Sequence, residues 1–134
     1  MDQELERLVR QRAGRICEYC HMLDAFDLPA FELEHIIARK HQGKTVAGNL
    51  AVACFTCNHH KGPNLGGIDP KTGKKVWLFH PRRHKWAKHF RWDGPILLGR
   101  TPTGRATIAV LGINLPLRIR LRAELIKEGI FLPA

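Results

Sequence analysis

Three stretches decide how this chain is read: Cys17-Glu-Tyr-Cys20, Phe31-Glu-Leu-Glu-His-Ile-Ile37 and Cys54-Phe-Thr-Cys57-Asn-His-His-Lys61. Two C-x-x-C pairs bracket a Glu-His dipeptide, with Asn49-Leu50 ahead of the second pair. A C-x-x-C turn carries two sulfurs to one metal ion with little strain. Two such turns complete the four-thiolate tetrahedron that structural zinc takes. The insert between Cys20 and Cys54 is 33 residues, longer than a simple zinc ribbon needs, so a folded element must occupy it. Two disulfides or free core thiols are the competing reading. The four residues are the chain's only cysteines, and in a reducing compartment such pairs read first as metal ligands. A domain this small also gains much of its stability from such an ion.

The 134 residues suffice for one domain with a modest core. Apolar residues at 44% and charged residues at 25% are ordinary for a globular protein. No apolar run approaches the ~18 residues of a membrane span, so no membrane partner is expected. The polar, acidic start Met1-Asp-Gln-Glu-Leu-Glu is unlike a secretory signal, and a cytoplasmic protein is expected. The net charge of +10 is unevenly placed. Residues 1–60 hold seven Lys/Arg and eight Asp/Glu, whereas residues 61–134 hold fifteen and four. Such a basic half suits a polyanion such as nucleic acid, although a solvated basic surface is the plainer reading.

Hydrophobic spacing predicts a helix over 2–13, capped by Asp2, stopped by Gly14 and lined by Leu5, Leu8, Val9 and Ala13. It predicts a strand over 31–37, a polar loop over 38–48, a short strand over 50–53 and a short helix ending at Gly62-Pro63. Residues 62–73 read as a connector, 76–79 and 91–98 as strand, and 103–111 as helix. A last helix over 115–128 is expected to start at an Asn114 cap and to turn Leu117, Leu121, Leu125 and Ile126 inward.

Glu34-His35, Asn49 and Asn58, threaded through the two C-x-x-C pairs and followed by Lys61, resemble the HNH endonuclease family of ββα-metal, or His-Me finger, fold. His35 precedes Asn49 by 14 residues and Asn49 precedes Asn58 by nine, in the family's order and spacing. The resemblance covers about residues 12–63. It implies a general base at His35, because a neutral imidazole can take a proton from water. It implies a catalytic metal carboxylate at Glu34, where many relatives have Asp. Asn49 matches the residue that fixes the loop carrying the base. Asn58 matches the last motif position, where an amide oxygen suits Mg²⁺ or Mn²⁺. The chain is thus an H-N-N variant. Neighbours on a regular strand point to opposite faces, so Glu34 and His35 converge only where the strand twists or ends. His59 and His60 are read as surface residues rather than ligands.

Between Lys71 and Trp92 lie eight Lys/Arg, three His and all three tryptophans, Trp77, Trp86 and Trp92. With Lys61, the cations Arg82, Arg83, Lys85 and Lys88 are the candidates for nucleic-acid contact. Trp77 and Trp92 are expected to pack in the core. Arg118, Arg120 and Arg122 spread around the last helix as a possible second face for DNA. This tail loosely resembles extensions on small bacterial HNH proteins, and a bacterial or phage source is expected.

The expected fold is α+β: a small ββα-metal nuclease core held by a four-cysteine zinc site (Cys17, Cys20, Cys54, Cys57), with an N-terminal helix and a basic α/β extension. Residues 1–134 are expected to form a single domain, with the nuclease core at about 12–63 and the extension at about 64–134. The expected function is a metal-dependent endonuclease hydrolysing phosphodiesters in DNA, with structural Zn²⁺ and catalytic Mg²⁺ or Mn²⁺. RNA stays open as a substrate, and so does the choice between monomer and homodimer. The competing reading is a noncatalytic zinc-stabilised module that binds nucleic acid.

Overall fold

Asp2 starts the first helix, α1 (Gln3–Ala13), by accepting a hydrogen bond from the Glu4 amide at 2.8 Å. Gly14 ends it in the left-handed region at φ 68°, which costs glycine little. Acidic residues in its first turn and Arg10 and Arg12 in its last complement the helix dipole. Val9 and Ala13 form the buried stripe, while Leu8, expected on that stripe, is exposed.

The computed structural model describes residues 1–133, and the chain divides into two compact units. The first comprises Met1–Leu65 with His80–Arg83, and the second Gly66–Phe79 with His84–Ala134. Mixed helices and short antiparallel strands give the α+β class expected from the sequence.

In the first unit, β1 (Glu32–His35) pairs antiparallel with β2 (Leu50–Ala53), and α2 (Phe55–Lys61) follows at once. The register sets Glu34 opposite Ala51 and His35 opposite Leu50. β2 is buried along its whole length, which suits its unbroken apolar sequence. Val9, Ala13, Tyr19, Met22, Phe31 and Ile36 are buried in the same unit. Between the strands, the chain makes two 3₁₀ turns, Arg39–His41 and Ala47–Asn49, where a polar loop is expected.

In the second unit, β3 (Gly66–Ile68) pairs with β4 (Lys75–Trp77), and β5 (Phe90–Asp93) pairs with β6 (Ile96–Gly99). The short helix α3 (Trp86–His89) precedes β5, and α4 (Pro102–Leu111) and α5 (Pro116–Lys127) follow β6. Residues 66–68, expected within a connector, thus form a strand. Thr101 caps α4 by accepting from the Gly104 amide at 3.0 Å. Trp92 packs edge-on against Phe131 with ring centroids 5.2 Å apart, as its expected core role requires.

Four expectations fail here. Asn114 does not cap α5. Its amide instead accepts from Leu97 N and donates to Leu97 O, pairing the end of α4 to β6. Leu117 is 73% exposed, and the buried face of α5 is formed by Leu125 and Arg122. Arg122 therefore presents nothing to DNA: its guanidinium donates to Pro95 O and Asn114 Oδ1 and lies over the Trp92 ring. Trp77 is not in the core but 70% exposed. The register explains it, because Gly67 is the residue that meets α4 and Trp77 lies on the opposite face of the ribbon.

A buried ion pair orders the β3–β4 turn. Arg105 grips both Asp69 oxygens at 2.8 and 2.9 Å, and the Lys71 amide and Thr72 hydroxyl donate to the same carboxylate. The Arg105 hydrogen bonds hold the Asp69 carboxyl well below the usual range. A depressed carboxyl contributes stability above its unfolded value of about 3.8, which is lost as pH falls through the folded one. Asp69→Asn should therefore be clearly less stable than wild type at pH 7, and the gap should narrow below about pH 4. Urea unfolding of both proteins across that range checks it.

Candidate active site

The first C-x-x-C turn is built by tight backbone bonds. Cys17 N donates to Met22 O and His21 N to Cys17 O, both at 2.9 Å. Arg15 and His21 take positive φ to fold it. Glu18 docks this turn against the edge of β2: its amide donates to Val52 O, and its carboxylate accepts from Val52 N at 2.8 Å. The second turn opens α2, with the Cys54 sulfur accepting from the Cys57 amide as the helix cap.

All four cysteines are buried, and their sulfurs lie within 4.8 Å of one another. Cys20 and Cys54 sulfurs are 3.7 Å apart. A tetrahedral ion with metal–sulfur bonds of about 2.3 Å would set sulfurs about 3.8 Å apart, so the cluster is shaped to hold a metal ion. Burial pushes the Cys17 thiol well up, and the hydrogen bond with Cys17 raises that of Cys57. The bonds from Cys17, Cys54 and Cys57 push the Cys20 thiol well down. Thiolates are the metal-binding form, so a cation taken up by the four sulfurs would release protons.

Tyr19, inside the first turn, carries this cluster to β1. Its hydroxyl hydrogen-bonds Glu34 Oε1 in the interior. The other oxygen of Glu34 meets Lys61 Nζ at 3.1 Å, and Lys61 also donates to Ile36 O at 2.8 Å. Burial raises the Glu34 carboxyl, although Lys61 opposes the shift. Lys61, expected at a nucleic acid, is 2% exposed and spent on this interior contact. α2 points it inward because Cys57 and Lys61, one turn apart, share the helix's buried side.

β1 ends at His35, which resolves the problem of adjacent residues on opposite faces. Glu34, His35 and Asn58 all line one open cleft of about 290 Å³, together with Arg39, Gly62 and Pro63. His35 Nε2 pairs with Thr45 Oγ1 at 2.8 Å, which leaves the other ring nitrogen for a proton. Partial burial and the charges of Arg39 and Lys61 lower its pKa, favouring the neutral imidazole. Asn58 donates from Nδ2 to Glu32 Oε2 at 3.3 Å, so its amide oxygen stays available at the cleft. Two oxygen donors, from Glu34 and Asn58, suit a hard divalent ion. Lys61 and Tyr19 take one bond each, and a carboxylate has lone pairs for more.

Asn49 stands behind the cleft. Its amide accepts from Ile37 N at 2.8 Å and donates to Ile37 O and Lys44 O, closing the loop over 37–49. Gly43 belongs to the same closure: a Cβ there would lie 1.7 Å from Ile37 O. Arg12 pins the loop from outside through Ala47 O and Leu50 O.

Of the remaining expected cations, the first unit holds Arg82 and Arg83, and neither lines this cleft. Arg82 is ion-paired with Glu18 and mostly covered, so it is not free for phosphate. Arg83, Lys85 and Lys88 are exposed, Arg83 in the first unit and the two lysines in the second. His59 and His60 are exposed on α2, as expected. Sequence reasoning missed Tyr19, Thr45 and Arg39. A tyrosine between two ligating cysteines, and an arginine four residues after the expected base, were the available signals.

Residues 17–64 match the family model described as HNH endonuclease. No curated protein matches the chain at a significant level.

Removing the Lys61 ammonium would leave Glu34 buried without its cation. Lys61→Met should destabilise the protein by about 3–5 kcal/mol, as breaking one side of a buried pair does. Urea unfolding of the metal-loaded protein measures it.

Proposed function

We infer, from the match of residues 17–64 to the HNH endonuclease family model, that the chain is a metal-dependent nuclease that hydrolyses phosphodiester bonds in DNA. The observation that carries this reading is the convergence of Glu34, His35 and Asn58 on one open cleft. His35 acts as general base, taking a proton from the attacking water through the ring nitrogen that Thr45 leaves free. Thr45 and the Asn49-closed loop fix the imidazole's position. Glu34 and Asn58 would hold the catalytic ion, Mg²⁺ or Mn²⁺, which would supply Lewis-acid stabilisation of charge on the phosphate. Arg39, exposed at the cleft, offers a further cation to the phosphate.

The four-cysteine site takes structural Zn²⁺ in this reading. Sulfur donors at tetrahedral spacing favour zinc over the harder divalent ions. A reduced, intracellular compartment follows from thiolate ligation rather than disulfides. Phosphodiester chemistry at such a cleft does not itself exclude RNA.

One observation favours the second reading, a noncatalytic zinc-stabilised module. Glu34 is already neutralised internally by Lys61.

Cleavage of supercoiled plasmid by zinc-loaded protein with added Mg²⁺ or Mn²⁺ separates the two. Wild type should nick the plasmid only with added metal, and His35→Ala should be slower by roughly a hundredfold or more while keeping its fold and zinc. Cys54→Ser should instead lose bound zinc and unfold, read by metal analysis and circular dichroism. Undiminished cutting by His35→Ala would remove His35 as base. Salt-sensitive DNA binding by wild type without cleavage would support the module.

A further inference from the structure

The β3–β4 ribbon has two unlike faces. Gly67 faces α4 so closely that a Cβ there would lie 2.5 Å from a Val110 methyl. The antiparallel register then turns Gly66, Ile68, Lys75 and Trp77 to the other side. On that side Ile68 is 51% exposed and Trp77 70% exposed. A tryptophan ring left this open is uncommon, because burial of so large an apolar surface is normally favoured.

The surroundings are cationic. Residues 66–78 contain three lysines, Lys71, Lys74 and Lys75, all exposed, and one acid, Asp69. Arg105 neutralises Asp69 from within the fold, so no anion on the ribbon offsets the lysines. The pairing that orders the turn thereby also holds Lys71 and Lys74 at its tip, with Lys75 beside the tryptophan face.

We propose that this outer face binds single-stranded DNA, with Trp77 stacking on an unpaired base and Lys71, Lys74 and Lys75 neutralising the adjacent phosphates. An exposed indole reads the π-face of a base, which a duplex hides in its stack. Lysines spaced along a ribbon follow a backbone without reading sequence. The inference rests on the reading of this chain as a DNA-acting protein and gives its substrate class: DNA that carries unpaired bases.

The test is fluorescence anisotropy of a labelled 20-mer, single-stranded or duplex, with full-length zinc-loaded protein and no added Mg²⁺. Trp77→Ala should weaken single-strand binding by roughly tenfold or more, and Trp77→Phe should retain most of it. Duplex binding should change far less. Lys71→Gln/Lys74→Gln/Lys75→Gln should flatten the dependence of log affinity on log salt by about two. Unchanged single-strand binding by Trp77→Ala overturns the proposal. So does an equal loss on duplex, and so does a Trp77→Ala effect confined to self-association, which would mark the face as a contact between copies. Because binding is read without cleavage, Trp77-dependent binding by a protein that never nicks would leave the ribbon standing and remove the nuclease reading. Nicking with Trp77-independent binding would do the reverse.

Discussion

The first unit depends on the four-thiol cluster. The cysteine pairs sit 33 residues apart in sequence, and their closure brings the two ends of that stretch together. One pair is pressed against the edge of β2 through Glu18, and the other is the first turn of α2. Fixing the two turns on one ion therefore fixes β2 against α2, and β1 is held in register with β2. A unit of this size has too little core to define such a geometry alone. Tyr19 extends the constraint from the cluster to Glu34.

The interior contact of Glu34 with Lys61 and Tyr19 shapes the cleft's electrostatics. Lys61 ties α2 to the backbone just beyond β1 by its bond to Ile36 O, so the ammonium works as a brace as well as a counter-charge. The same ammonium competes with any cation that approaches Glu34. An ion that reached Glu34 from the cleft would be opposed by that buried positive charge. His35 lies at the rim, positioned by Thr45 and by a loop that Asn49 closes with three hydrogen bonds.

Local patterns carried the first unit further than the second. The cysteine spacing, the unbroken apolar run of β2 and the Gly62-Pro63 stop locate β2 and α2 closely, because each is a local signal. The loop of 38–48 is likewise polar and local. Lys61 could not be read from its neighbours: a lysine after two histidines looks solvated, and only the tertiary position of Glu34 draws it inside. Arg82 is hidden for the same reason, by a partner 64 residues away. In the second unit, helical period gives a stripe on α5 but not which side is buried. Arg122 takes the inner side because Pro95 O, Asn114 and the Trp92 ring satisfy it there. Asn114 is drawn from its expected cap by the Leu97 backbone, and Trp77 is turned outward by a glycine ten residues earlier in the chain. Each of these misses is a long-range contact overriding a sound local preference.

In the proposed mechanism, Glu34 and Asn58 share a catalytic ion beside His35. The most direct measurement is anomalous diffraction from crystals of zinc-loaded His35→Ala protein soaked in Mn²⁺. A manganese peak bonded to a Glu34 oxygen and the Asn58 amide oxygen, separate from the zinc peak among the four sulfurs, is the expected result. Manganese absent from that cleft at saturating concentration, with Lys61 still on Glu34, would contradict it.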